Sequence, residues 1–478
     1  MAYQARHRLK EPAYRMQYVS TRGTAPPLGF EDAMLSGLAR DGGLYVPEVW
    51  PTMTEAEVAA LAGLPYAEAA FRIMRPFVGD AFTDDEFRAI LARAYAGFRH
   101  PAIAPLRQLG SNDWLLELFH GPTLAFKDVA MQLIGQFFEA SLARSGRRLT
   151  IVGATSGDTG SAAIEAFRGR QGIEVYILFP DGRVSDVQRR QMTTPDEANV
   201  HALAIAGDFD DAQARVKDMF NDHAFRDGVG LAGVNSINWA RVLAQTVYYF
   251  TAAVALGAPR RPVSFSVPTC NFGDVFAGWV AKRMGLPIDR LVIATNQNDI
   301  LHRTAESGEH RRAGVRASIS PSMDIEVSSN FERLLFELYD REGPAVARLM
   351  AELGQGGFAL SQGALGRLRA DFDSATASEA ETAAMIAETR RATGEIVCPH
   401  TAVGLHAARL RRGDPAVPMV TLATAHPAKF PDAVAAACGI RPELPDWMAG
   451  QLRRPERMTK VANDLGAIEA VIGRETVR

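Results

Sequence analysis

The chain has 478 residues, 47% hydrophobic and 22% charged, with a formal net charge of −3, a balance that excludes disordered and fibrous classes and allows a sizeable buried core. Both signs of charge are spread along it, so there is no electrostatic footprint for nucleic acid or an acidic membrane surface, and an anionic ligand must be held by a local site. Three scattered cysteines, Cys270, Cys398 and Cys438, are too few for a disulfide framework or a zinc cluster and fit a reducing compartment.

The N-terminal segment has Arg6, Arg8, Lys10 and Glu11 where a secretory signal needs an apolar core, so a cytoplasmic location is expected, with Met1, Met16 or a short transit peptide left open. From Glu31 to His100 the stretches "TEAEVAALAGL" and "TDDEFRAILARAYAGF" open with threonine and acids and repeat apolar residues at helical spacing. They predict a mostly helical N-terminal domain over residues 1–100. Between Asp113 and Leu203, "WLLELF", "VAMQLIGQFFEASLA", "RLTIVGAT", "SAAIEAFRG" and "IEVYILFP" alternate strand and helix, the pattern of a parallel sheet covered on both faces. The alternation continues through "NVHALAIAG", "FDDAQARVKDMF" and "VGLAGVN", predicting a small α/β domain of roughly four parallel strands over residues 136–259. A long helix follows from Trp239 to Leu256, whose apolar stretch is shorter than a membrane span.

"PVSFSVP" and "DRLVIATN", separated by the helical "DVFAGWVAKRMG", predict a second parallel sheet. Residues 101–135 and 260–478 are assigned to this larger domain, with a helical insertion at 307–392 that shows no strong strand. "VPMVTLATAHP" returns to a buried strand.

Ligands of open parallel sheets bind beyond the carboxyl ends of the strands, at loops that lead into helix N-termini. Two loops qualify. "IVGATSGDTGSAAIEAF" offers backbone amides with Thr155, Ser156 and Thr159, and "VPTCNFGDVFAGW" offers Asn271 to Asp274. Each is an anion cradle or an ordinary tight turn. Gly153, Gly157 and Gly160 do not form the dinucleotide fingerprint, and the lysine of a Walker loop is absent.

Lys127 stands between apolar runs at the entrance of a helix that Asp128 is placed to cap, a setting that favours a neutral, nucleophilic amine over the surface lysine more common at such a position. His120, His400 and His426 lack ligand spacing, so no metal is expected.

The strings "YVSTRG", "DGGLYVPE", "GPTLAFKD", "GATSGDTG", "VNSINWAR", "CNFGD", "SMDIEVSSNFERLL", "PHTAVG" and "TAHPAKF" resemble, in order, the motifs of the threonine synthase family. The resemblance runs from Tyr18 to Phe430. It implies an α/β fold of two parallel-sheet domains, that of the tryptophan synthase β-like (fold type II) pyridoxal 5′-phosphate enzymes, with the cofactor between them. It also implies that Lys127 is the Schiff-base lysine, that Asn271, Phe272, Gly273 and Asp274 cradle the cofactor phosphate, and that the Thr424 hydroxyl meets the pyridine nitrogen. Thr155, Ser156, Gly157, Asp158 and Thr159 would hold the substrate carboxylate, and Asn235, Ser236 and Arg241 its phosphate. The implied reaction turns O-phospho-L-homoserine and water into L-threonine and phosphate, in a monomer. A phospho-lyase releasing 2-oxobutanoate and a non-catalytic relative are the alternatives.

The sequence departs from the family at Cys270 and Cys398, commonly glycine and aspartate. A Cβ at 270 restricts the backbone if that position needs positive φ. Lys429 ranks behind Lys127, as a structural or phosphate-facing residue.

Overall fold

Threonine begins two of the N-terminal helices, as their sequence signature predicts. In the computed structural model, which describes residues 16–476, Thr54 and Thr83 each close a reciprocal capping box with a glutamate three positions on, Glu57 and Glu86. Expectations about a leader within residues 1–15 lie outside the described residues. The N-terminal part runs β1 (Tyr18–Ser20), α1 (Phe30–Ser36), β2 (Tyr45–Pro47), α2 (Glu55–Ala59), α3 (Tyr66–Val78) and α4 (Asp84–Tyr95). β1 and β2 form an antiparallel pair that the helical pattern did not announce.

The chain then enters the larger sheet with β3 (Leu106–Gln108) and β4 (Asp113–Glu117) and leaves it along α5 (Lys127–Ser145). Next come β5 (Leu149–Ala154), α6 (Asp158–Phe167), β6 (Ile173–Pro180), α7 (Asp186–Thr193), β7 (Val200–Ile205), α8 (Phe209–Asn221), α9 (His223–Val229), β8 (Leu231–Ala232) and the long α10 (Trp239–Ala255). β6 is apolar along nearly its whole length and almost entirely buried, as a strand covered on both faces must be.

The larger sheet resumes with β9 (Val263–Pro268), α11 (Gly273–Arg283) and β10 (Ile288–Thr295). α12 (Ile300–Ser307) leads into the insertion, which holds β11 (Glu309–Arg311), α13 (Phe331–Leu338), α14 (Gly343–Gly354), β12 (Gly357–Ala359), α15 (Gln362–Asp371), β13 (Phe372–Thr376) and all but the last residue of α16 (Glu379–Thr393). Then follow α17 (Pro399–Leu410), β14 (Met419–Ala423), α18 (Pro431–Cys438), α19 (Asp446–Gln451), β15 (Thr459–Val461) and α20 (Leu465–Thr476).

The larger sheet has the order β13-β10-β9-β14-β4-β3, parallel except for β3. The smaller is the parallel β15-β7-β6-β5-β8. Two expectations change. The insertion is not free of strands: β11 and β12 pair with each other, and β13 adds to the edge of the larger sheet. β13 reads "FDSAT", polar at three of five positions, because an edge strand needs only part of its surface to be apolar.

The C-terminal residues also cross back to the smaller sheet. β15 pairs with β7, and Ile468 and Ile472 of α20 are fully buried in a cluster with Leu203, Ile205 and Val216. The smaller layer is therefore completed by residues that chain order assigned to the larger one.

Candidate active site

The residues assigned to cofactor and substrate lie beyond the carboxyl end of a parallel strand or in the first turn of the helix that follows it, as open α/β sheets dictate. After β4 the chain runs beside the segment that follows β14. Leu118 N–H donates to the Ala423 carbonyl (3.0 Å), Phe126 N–H to that of Thr424 (2.8 Å), and His426 N–H to that of Leu124 (3.0 Å). Leu124 turns at φ 61°, a left-handed conformation costing a non-glycine residue about 1 kcal/mol or more. Lys127 and Thr424 thereby share a small recess, also lined by Phe126, Asp158, Cys270 and His400.

Asp128 does not cap α5. Phe126 holds the N-cap position without a side-chain cap bond, and the Asp128 carboxylate accepts from Thr123 N–H (2.8 Å) and Thr123 Oγ1 (2.6 Å). It ties the incoming loop to the helix. Burial pushes its carboxyl up to about 6 against those bonds.

Lys127 is 7% exposed. Burial pulls its amine below the usual lysine range, and the Asp158 carboxylate, 3.8 Å away, opposes the shift without cancelling it. Such an amine is a nucleophile.

In the loop after β5, Thr155 Oγ1 accepts from Gly157 and Gly160 N–H, both at 2.9 Å. Gly157 has φ 139°, and a Cβ there would stand 2.3 Å from Gln188 Cδ; only glycine lets α7 approach. The reward of that approach is a bond from Gln188 Nε2 to Asp158 Oδ1 at 3.0 Å. Lys429 Nζ reaches the same oxygen at 2.8 Å and the Thr123 carbonyl at 2.7 Å. Burial works to raise the Asp158 carboxyl, but Lys429 and Lys127 outweigh it and hold it well below the ordinary carboxylate range. A carboxylate so committed repels another one, which leaves backbone N–H groups and the hydroxyls of Ser156 and Thr159 as the donors of this loop.

The loop after β9 turns at Phe272, φ 62°, the N-cap position of α11. Cys270 is not among the positive-φ residues, so the restriction expected from its Cβ falls on Phe272 instead. The Phe272 ring packs on Phe331 and Phe372, at centroid distances of 5.2 and 5.7 Å. Asp274 turns inward too: its Oδ1 accepts from Tyr248 Oη (2.5 Å) and Tyr249 Oη (2.9 Å), and burial pushes its carboxyl up to about 6. What these residues present to a ligand is main-chain N–H at a helix start, where no carbonyl lies one turn earlier to accept it.

Lys127, Thr155, Ser156, Thr159, Asn235, Ser236 and Asn271 all line one cleft of about 940 Å³ between the two sheets. Gly157, Phe272, Gly273, Asp274 and Arg241 are not among the residues that line it. Arg241 is buried, its Nε has no partner among the described residues, and its Nη1 makes one long hydrogen bond, 3.4 Å, to the Val234 carbonyl. Burial lowers its guanidinium to about 10. A buried guanidinium whose Nε is unsatisfied, with no ion-pair partner among the described residues, is suited to an anion beside this loop.

Sequence reasoning left Asn330 without a role. Its Nδ2 donates to the Ser236 carbonyl (3.1 Å) and the Asn271 carbonyl (2.9 Å), so one amide ties the two predicted phosphate-binding segments together. The only signal for it was its place in "SMDIEVSSNFERLL". His120, by contrast, bonds Glu117 (2.8 Å), and His426 accepts from Ala428 N–H (3.2 Å); both support loops.

Three family models match the chain: "Threonine synthase N terminus" over residues 17–95, "Pyridoxal-phosphate dependent enzyme" over 99–424, and "Threonine synthase, C-terminal" over 401–472. Threonine synthase of Pseudomonas aeruginosa is 53% identical, with 96% of this chain and 98% of that one covered. The chain belongs to the threonine synthase family.

Solved threonine synthases agree. The crystal structure of PLP-bound threonine synthase from Brucella melitensis superposes with a TM-score of 0.93 at 55% identity, covering 97% of this chain and 100% of that one. The yeast threonine synthase structure gives 0.90 at 38% identity, covering 96% and 99%. Membership in the threonine synthase family makes this an enzyme of the carbon–oxygen lyase class, acting on a small molecule with pyridoxal 5′-phosphate as cofactor. The residues present fit that group: a desolvated amine for its aldehyde, amides at the start of α11 for its phosphate, and the neutral Thr424 hydroxyl in the recess beside Lys127. No helix among the described residues is long and apolar enough to cross a membrane.

Proposed function

We propose that this chain converts O-phospho-L-homoserine and water to L-threonine and phosphate, with Lys127 as the lysine that holds the cofactor. The observation that carries this reading is the cleft in which Lys127, the loop after β5, Asn235–Ser236 and Asn271 face one another. When bound, pyridoxal phosphate supplies an aldehyde for amines and a ring that withdraws electrons from the substrate's Cα. The amides of Gly273 and Asp274 would hold its phosphate. A hydroxyl partner such as Thr424 cannot protonate the ring nitrogen as a carboxylic acid would, which limits how much negative charge the ring takes up.

The chain's own groups divide the remaining work. The Ser156 and Thr159 hydroxyls and the first amides of α6 would hold the substrate carboxylate, and Asn235, Ser236 and Arg241 the phosphate that leaves from Cγ. The Lys127 amine would take the proton from Cα and move protons at Cβ, where water adds. The smaller layer, closing on the cleft, would exclude other water. We read the working form as a cytoplasmic monomer.

Product analysis tests the proposal. Threonine and phosphate in equal amounts from phosphohomoserine are expected; 2-oxobutanoate without threonine would make the chain a phospho-lyase instead.

A further inference from the structure

Lys429 is fully buried, and a buried ammonium needs compensation. It finds this in Asp158 Oδ1 (2.8 Å) and the Thr123 carbonyl (2.7 Å). Lys127 meets the same carboxylate from the other side, with Nζ 3.8 Å from Oδ2, beyond hydrogen-bond reach. One carboxylate therefore serves two lysines, bonded to one and merely near the other.

The remaining groups that face Lys127 are Arg241 of α10 and Cys270 of the loop after β9, with Asp274 of α11 and His400 of α17 also coupled to it. Asp274 is engaged by Tyr248 and Tyr249. Asp158 is the anion that acts most strongly on the amine. Left alone with Lys127 in a buried site, it would favour the ammonium form, which cannot attack an aldehyde.

We propose that Lys429 is a positioning residue for Lys127: by bonding Asp158 it takes up the charge of that carboxylate and leaves the Lys127 amine free of its proton. The inference rests on the reading of Lys127 as the cofactor lysine. It goes beyond that reading in giving the second lysine an electrostatic task across the two layers, since Asp158 opens α6 of the smaller one and Lys429 follows β14 of the larger.

The test uses the full chain stripped of cofactor, with regained cofactor absorbance on adding pyridoxal phosphate as the control for folding. Reductive methylation of Lys127 by formaldehyde and cyanoborohydride is followed against pH by site-resolved mass spectrometry. In Lys429→Met the midpoint of Lys127 reactivity is expected to rise by about one pH unit or more, so labelling below the midpoint falls roughly tenfold. Adding Asp158→Asn should return the midpoint to the parent value or below it. An unchanged midpoint in folded Lys429→Met overturns the proposal. If that variant does not fold, Asp158→Asn alone must lower the midpoint, and no change there overturns it equally. Borohydride trapping of the cofactor on another residue would sink the functional reading without moving these midpoints, so the two failures are distinguishable.

Discussion

Asn330 grips Asn271 twice: its own N–H (3.1 Å) and its Nδ2 (2.9 Å) both donate to the Asn271 carbonyl. The same Nδ2 also reaches Ser236, and Oδ1 takes a bond from the fully buried Arg333. The segments that would hold the two phosphates are thus registered against each other by a residue that lines neither.

Asn330→Leu should therefore disturb both segments and leave the Arg333 Nη1 without its partner, while its bonds to the Tyr45 and Ile237 carbonyls remain. A stability loss of about 1–3 kcal/mol is expected, measured by urea unfolding, together with weaker binding of both cofactor and phosphohomoserine. A variant that loses stability but keeps both affinities would show that Asn330 is a fold residue only.

Lys127→Ala should leave a folded chain, because deleting a lysine whose amine is only 3.8 Å from its nearest carboxylate removes no strong bond. Borohydride reduction of the variant with pyridoxal phosphate should then yield no covalently labelled peptide, where the parent yields one containing Lys127.

Arg241→Ala should separate the two phosphates. Its buried guanidinium, with Nε unsatisfied among the described residues, is the charge suited to a substrate anion, and losing such a contact is worth about 2 kcal/mol or more, roughly thirtyfold in kcat/KM for phosphohomoserine. The cofactor spectrum should persist. Loss of cofactor in this variant would assign Arg241 to the other phosphate.

Asp274 supplies a pH signature. Burial raises its folded-state pKa to about 6 from an ordinary value of 3.8, so the folded chain holds a proton that the unfolded chain has released. The stability this provides is fully present below the unfolded value and is lost as pH rises through the folded one. Asp274→Asn keeps an oxygen to accept from Tyr248 and Tyr249 and has nothing to ionise. Its apoprotein should match the parent at low pH and become the more stable of the two near neutrality, a crossover readable in denaturant midpoints across that range. Parallel curves would contradict it.

Where burial dictates residue type strongly, the chain was legible without coordinates. β6 reads as a strand because both its faces are covered, and the capping boxes at Thr54 and Thr83 are read from four consecutive residues. The cleft residues were legible for a different reason: helix starts after parallel strands must gather at one edge of a sheet, so Lys127, Thr155 and Asn271 meet by topology. β13 and β15 escaped because edge strands are partly solvated and carry no apolar run. Asp128 was misjudged because a local capping rule competes with a loop that local sequence does not describe, and Thr123 won.

The sequence by itself determined that this is an α/β protein of two parallel sheets resembling the threonine synthase family, and which loops at helix starts are suited to its chemistry, since periodicity and motif are properties of neighbouring residues. Only the tertiary structure decided that Asp158 is shared by Lys127 and Lys429, that Asn330 joins Ser236 to Asn271, and that the C-terminal strand completes the smaller sheet. Those relationships join residues far apart in the chain, and a hydrogen bond is set by distance and direction in space, to which spacing along the chain is blind.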